Sequence, residues 1–157
     1  MSRLELKIPP LLLFFIFAVL MFWLGHQVNV WQLIPLELLG WRLFLAGIWL
    51  AVGVAVAVLG VLNFRQAQTT VNPLSPENAS QLVQQGIFSH SRNPMYLGML
   101  MVLIGWALWL SDLSAFLPLP FFVLYLNQFQ IKPEERALTG LFGDAFLQYQ
   151  QKVRRWL

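Results

Sequence analysis

The feature that most constrains this chain is a run of 20 residues, Leu43 to Leu62, without a single charged side chain. About 20 helical residues cross a hydrocarbon core of roughly 30 Å, so this stretch is read as a membrane span. Gly47, Gly53 and Gly60 lie within it, and small residues of this kind let neighbouring helices approach closely. The rest of the chain agrees. Its 157 residues are 58% hydrophobic and only 11% charged, where a soluble domain carries about a quarter charged. Such an apolar chain is not disordered, and ten glycines without a short period and no cysteine exclude collagen-like and disulfide-scaffold classes.

Three further charge-poor stretches follow the same logic. The first runs from Ile8 to about Gly25 and opens with Pro9 and Pro10, where a helix tolerates proline best. No small-x-small cleavage pattern follows it, so it is expected to stay as a permanent helix. The third covers Met95 to Leu110, and the fourth Leu113 to about Gln130, with only Ser111 and Asp112 between them. Those two spans are expected to form a tight helical hairpin. The expectation is an all-α, polytopic integral membrane protein with about four transmembrane helices (8–25, 43–62, 95–110, 113–130) and a C-terminal cytoplasmic or interfacial helix. Residues 1–157 form a single domain in this reading.

Basic residues near span ends stay on the cytoplasmic side. Arg3, Lys7, Arg65, Arg92, Lys132, Arg136, Lys152, Arg154 and Arg155 all fall on one side of this topology, and only Arg42 falls on the other. Both termini and the 63–94 segment are therefore expected in the cytoplasm, for a protein of a bacterial inner membrane or its equivalent. Trp23, Trp31, Trp41 and Trp109 cluster at the opposite span ends, as interfacial aromatics do.

Two polar segments abut the membrane on the cationic side. In the first, Asn72-Pro73-Leu74-Ser75-Pro76-Glu77 is rich in turn formers, and Ala79 to Gln85 reads as a short helix ending at Gly86. In the second, Pro133-Glu134-Glu135 places a proline and two acids at a helix start, where the dipole favours negative charge. That helix is expected to break at Gly140 or Gly143 and to present Leu138, Leu141, Phe142, Phe146, Tyr149 and Val153 as one apolar stripe. No internal repeat or second domain is visible.

The chemistry available is limited. His26 and His90 are far apart and on opposite sides of the expected topology, so a histidine or cysteine metal site is not expected. There is no phosphate-binding glycine loop and no histidine-centred triad, and neither a metal nor a nucleic acid is an expected partner. Read separately, Arg92 is an interfacial anchor, Pro94 a helix starter, and the acids at 134 and 135 a helix cap.

Read together, Gly86-Ile87-Phe88-Ser89-His90-Ser91-Arg92-Asn93-Pro94-Met95-Tyr96-Leu97-Gly98, then a hairpin, then Glu134-Glu135-Arg136-Ala137-Leu138 and Phe142-Gly143-Asp144-Ala145-Phe146-Leu147-Gln148-Tyr149 form a compound pattern. The pattern resembles the isoprenylcysteine carboxyl methyltransferase family and its phospholipid methyltransferase relatives, over roughly Ser80 to Leu157. The resemblance implies a membrane methyltransferase that uses S-adenosyl-L-methionine and takes a lipophilic or prenylated acceptor from the bilayer. Carried over residue by residue, the cofactor contacts are Gln81, Leu82, Val83, Phe88, Asn93, Pro94, Met95, Tyr96 and Glu134, within segments 80–98 and 130–157. Glu135, Arg92 and Gln130 are the residues expected to take part in catalysis, the acceptor being the carboxylate of an isoprenylcysteine-like molecule or, alternatively, a lipid amine. A catalytically silent scaffold of the same fold is the other alternative. Asn93 stands where the family has histidine, Phe88 where tyrosine is frequent, and Gln130 where prenylcysteine-methylating members carry an arginine.

Overall fold

The computed structural model describes residues 5–27, 32–69 and 74–157. Arg3, Trp31, Asn72 and Pro73, invoked above, lie outside the described residues. Among those described the architecture is all-helical with no strand. Helices α1 (Pro10–Gln27), α2 (Leu39–Gln66), α3 (Pro94–Leu110), α4 (Pro118–Tyr125), α5 (Lys132–Phe142) and α6 (Asp144–Lys152) follow in order.

α1 and α2 are long and apolar enough to cross a membrane, and only 17% of each apolar window is buried inside the protein. That fraction separates them from the core helices of a soluble protein, which pass the same test while mostly buried. Leu11, Phe15, Val19, Phe44, Ile48 and Val58 all face outward. Apolar surface on this scale calls for a lipid or protein cover. α3 is equally apolar but has 17 residues, about 25 Å of helix.

Close approach between α2 and α3 organises the bundle. The two helices run antiparallel, with Gly105 against Ala46 and Leu50, Gly98 against Gly53 and Ala57, and Gly60 against Met95 and Pro94. A Cβ at Gly98 would stand 2.5 Å from the Gly53 carbonyl oxygen and 2.8 Å from Ala57 Cβ, so only a hydrogen fits. α1 packs on the other side of α3, where Trp106 Nε1 donates to Ala18 O at 3.0 Å and Ser114 Oγ to Leu24 O at 3.1 Å.

The turn after α3 is compact, as expected. Ser111 takes a left-handed conformation (φ 55°), and Asp112 Oδ1 accepts from Ser114 N at 2.8 Å, capping a 3-10 turn over Leu113–Phe116. At this end of the bundle Arg42 donates to Trp109 O and lies 5.9 Å over the Trp109 ring. Trp23, Trp41 and Trp109 are exposed there.

Beyond the turn the structure corrects two expected boundaries. The helix of the fourth segment does not end near Gln130. α4 passes through a π-helical turn, Leu126–Ile131, directly into α5, so one continuous helix runs from Pro118 to Phe142. Pro133 therefore lies inside a helix and does not open one. Proline lacks the N–H that would bond the carbonyl four residues back. That carbonyl, Phe129 O, instead accepts from Leu6 N at 3.0 Å, and the widened turn ahead of the proline absorbs the ring. Then Gly143 breaks the helix at φ 51° and ψ −126°, a conformation reserved for glycine.

The second correction concerns Ala79 to Gln85, which form no helix. Ala79 (φ −67°, ψ 121°) and Gln85 (φ −101°, ψ 170°) are extended, and short 3-10 turns lie on either side. Thr69 Oγ1 accepts from Ser80 N at 3.0 Å, and Ser80 Oγ donates to Gln68 O at 3.2 Å. Such side-chain bonds compete with the helical ladder and tie this strip to the end of α2. Gly86 opens the following turn at φ 61°, where a Cβ would overlap the Asn63 amide.

Candidate functional site

At the end of the bundle where α2 finishes and α3 begins, helices and irregular strip converge on one cleft of about 840 Å³, mouth included. α2 has 28 residues, about 42 Å, and overshoots a bilayer core. Its last turn reaches the polar layer, where Asn63 Nδ2 donates to Gln85 O at 3.1 Å and the Phe64 ring packs 4.8 Å from that of Phe88. This contact stations the 81–88 strip as one wall of the cleft. α6 supplies another: Phe146, Tyr149 and Val153 are buried together, with Leu82, Leu138 and Phe142 against them, and Tyr149 Oη donates to Phe88 O at 2.7 Å. Leu141, expected on the same stripe, is exposed.

All nine residues expected to hold a cofactor, Gln81, Leu82, Val83, Phe88, Asn93, Pro94, Met95, Tyr96 and Glu134, line this cleft. Arg92 and Glu135 line it as well. Gln130 does not. It is buried one helical turn below, where its Nε2 donates to Glu134 Oε1 at 3.0 Å. The residues not anticipated from the sequence as cleft lining are Phe64, Pro76, Ala79, Leu138, Phe146 and Tyr149. Leu138, Phe146 and Tyr149 were legible as an apolar stripe, but nothing in the sequence aims Phe64 at a site.

Two polar networks stand in the cleft. In the first, Glu134 Oε1 accepts from both Tyr96 Oη and Gln130 Nε2, which leaves Oε2 for a ligand. Burial raises the Glu134 carboxyl to about pKa 7, outweighing the two donors that favour its ionised form; the neighbouring Glu135 charge adds to the rise. In the second, Glu135 bridges two guanidinium groups. Arg92 Nη2 lies 3.0 Å from Oε1, and Arg155 grips the same carboxylate through Nε at 3.0 Å and Nη2 at 2.7 Å. Burial lowers the Arg92 pKa, opposed by the Glu135 charge, while the hydrogen bond to Glu135 raises that of Arg155.

Arg155 is thus a partly buried partner of the site. Its strand of chain is tied down twice more: Arg92 N donates to Arg154 O at 3.0 Å and Asn93 Nδ2 to Arg155 O at 2.9 Å. The asparagine that replaces the family histidine has this structural task. Arg136 pairs with Glu5 at 2.7 Å. Among the described residues no group of histidine, cysteine and acidic side chains is arranged to hold a metal.

Chemically, the cleft joins an apolar slot made by Phe64, Leu82, Val83, Phe88 and Leu138 to a carboxylate with a free oxygen and to a cation. That set suits a small molecule with a flat apolar ring and both charges.

Comparison with known proteins agrees with this geometry. No solved structure matches the chain. A Haemophilus influenzae protein described only as uncharacterized is 51% identical over 63 residues, which are 40% of this chain and the whole of that relative. The family model "Phospholipid methyltransferase" matches residues 41–145, from the start of α2 past the Glu134–Glu135 pair. The chain belongs to the phospholipid methyltransferase family, membrane proteins that methylate lipid-like substrates.

Proposed function

We propose that the chain is an integral membrane methyltransferase that binds S-adenosyl-L-methionine in the cleft and methylates a lipophilic acceptor supplied by the bilayer. The observation that carries this reading is Glu134, a half-buried carboxylate held on one oxygen by Tyr96 and Gln130 and open to the cleft on the other.

Bound there, the cofactor supplies an electrophilic methyl on a positively charged sulfur. Glu134 would accept from its amino group or ribose hydroxyl and complement the positive charge. Leu82, Val83 and Phe88 would cover the adenine, while the amides at the start of α3 would meet the carboxylate. The transfer is a direct displacement, so the work of the protein is alignment and exclusion of water; no covalent intermediate is required.

Two acceptor chemistries suit this site. The carboxylate of an isoprenylcysteine-like molecule needs no base and takes Arg92 as its orienting cation, in place of the arginine that Gln130 replaces. A lipid amine needs deprotonation, for which Glu135 is the candidate base. Base treatment of the labelled product separates the two, since an ester is cleaved and a methylated amine is not.

The membrane arrangement belongs to the same reading. α1, α2, α3 and the α4 helix each cross the bilayer in one domain, with the cleft and both termini on the cytoplasmic face. Lys7, Arg65, Arg92, Lys132, Arg136, Lys152, Arg154 and Arg155 all gather at the cleft end, as the retention of cations in the cytoplasm demands. Calorimetry on the purified protein in detergent tests the central step. Saturable binding of S-adenosylmethionine and of its demethylated product is expected, and binding of neither overturns the reading.

A further inference from the structure

The irregular strip between α2 and α3, which walls the cleft, has open space on both of its faces. Gln81, Leu82 and Val83 line the cleft on one side, and the same three residues line a second cavity of about 1240 Å³, mouth included. The end of α2 bounds that second cavity, which is rich in carboxamides: Asn63, Gln66, Gln84 and Gln85 lie around it. A wall with open volume behind it can be displaced without compressing a close-packed core.

Little holds the middle of this strip. Leu82, Val83 and Gln84 make no hydrogen bond among the described residues, and exposed segments of this kind open at low cost. Its fastenings are at the ends. At the first, Thr69 Oγ1 accepts from Ser80 N and Gln81 N, and Ser80 Oγ donates to Gln68 O. At the second, Gln85 O accepts from Phe88 N at 3.2 Å within the following turn and from Asn63 Nδ2 at 3.1 Å across to α2. That turn is itself fixed, by the Phe64–Phe88 ring contact and by Tyr149 Oη on Phe88 O. Between the fixed turn and the unbonded strip stands Gly86 at φ 61°, where a Cβ would lie 2.3 Å from Asn63 Nδ2. The Asn63 amide is therefore both bonded to the carbonyl before this glycine and wedged into the space over it, so the backbone at 85–86 turns only when that amide yields.

We infer that residues 81–84 are a lid on the cleft, which swings into the second cavity to admit and release the cofactor, and that Asn63 is the latch that sets how often it opens. Closed, Leu82 packs against the cluster of Phe146, Tyr149 and Val153 and screens this side of the cleft from water. Open, Leu82 leaves that cluster for the carboxamide-lined space, so the apolar contact favours the closed form. Few backbone positions absorb such a motion, and Gly86 and its neighbour are the ones placed to do so. Asn63 does not line the cleft, which makes it a positioning residue: it governs exchange of the ligand through the strip. The inference rests on the methyltransferase reading for the identity of what passes the lid.

Two measurements on the full chain in detergent test it, on wild type, on Asn63→Asp, which keeps the size and loses the donor, and on Asn63→Ala. Rapid filtration with labelled S-adenosylmethionine gives association and dissociation rates. Because the latch is closed both before and after binding, its loss should raise both rates about threefold to tenfold, the range for one net hydrogen bond, and leave Kd within about twofold. Faster dissociation with unchanged association overturns the inference, since Asn63 then only shapes the occupied cleft; unchanged rates overturn it as well. The second measurement needs no cofactor. The chain has no cysteine, so spin labels on Gln84→Cys and on Gln148→Cys, an exposed position of α6, report the distance from lid to α6 by pulsed electron resonance. A longer distance should gain population in both Asn63 variants, and a single unshifted distance in all three proteins overturns the lid. Labels that separate on loss of the latch, in a protein whose wild type binds no cofactor, would sink the methyltransferase reading and leave the lid in place.

Discussion

The Tyr96 hydroxyl donates to the Glu134 carboxylate across 38 positions of sequence, joining the first turn of α3 to the helix that continues α4. Because Gln130, one turn earlier on that helix, donates to the same oxygen, the carboxylate is oriented from two sides before any ligand arrives. Preorganisation of this kind lowers the ordering cost of binding.

Glu134→Gln keeps the shape and removes the charge. Charge-assisted hydrogen bonds are worth about 1.5–3 kcal/mol, so affinity for S-adenosylmethionine should fall about tenfold to a hundredfold with little change in melting temperature. Tyr96→Phe should lose less, since Gln130 still holds Oε1. Calorimetry and thermal melts on both variants check the order, and wild-type affinity in Glu134→Gln would refute the role.

Burial raises the carboxyl of Glu134 to about pKa 7, from an ordinary 4.5. The folded ligand-free protein therefore holds this proton more tightly than the unfolded chain does. Its contribution to stability is fully present below about pH 4.5 and is lost as pH rises through 7. A cationic ligand beside the group reverses the preference, so cofactor binding near pH 6 should release a proton. Calorimetry at that pH in two buffers of different ionisation enthalpy should give different apparent heats, and the difference should vanish in Glu134→Gln.

Glu135 holds two guanidinium groups, those of Arg92 and Arg155, with side-chain exposures of 11% and 33%. Glu135→Ala leaves both without their counter-charge and removes one of the ties on the chain end, the bonds from Arg92 N and Asn93 Nδ2 remaining. The pairs are only partly buried, so a loss of about 1–3 kcal/mol is expected, below that of a fully buried pair. Arg155→Ala should lose less, because Arg92 still neutralises the acid. Denaturant or thermal unfolding in detergent reads both.

Gly98→Ala drives a methyl into the Gly53 carbonyl and Ala57, and overpacking of this kind costs about 1–3 kcal/mol. Gly47→Ala in α2 and Gly140→Ala in α5 meet no atom within 4 Å, and alanine is the better helix former by about 0.8–1 kcal/mol. Thermal melts should therefore move down for Gly98→Ala and stay or move up for the other two. A uniform fall in all three would contradict the close α2–α3 packing.

Much of this architecture was legible in the sequence because local signals carry it. Leu43 to Leu62 must be a helix in lipid wherever the rest of the chain goes, and Ser111-Asp112 between apolar runs is a turn by composition. The nine residues expected to contact the cofactor line one cleft because one strip, one helix start and one helix turn each kept their motif. What escaped was set by distant partners. Pro133 reads as a helix start until Leu6 is seen to take the carbonyl it leaves open. Ala79 to Gln85 carry helical propensity, but Thr69 and Gln68 claim the groups at the start of the segment. Arg155, near the chain end among basic residues, has no sequence mark of the ion pair with Glu135. Gln130 holds a motif position, yet its amide is turned to Glu134 and away from the cleft lining.

The central claim is methyl transfer from this cleft to a lipid. Methyl-labelled S-adenosylmethionine, incubated with the purified protein and a total lipid extract, should place label in an extractable lipid with wild type and far less with Glu134→Gln. Wild type that leaves every lipid unlabelled, under conditions where it binds the cofactor, would contradict it.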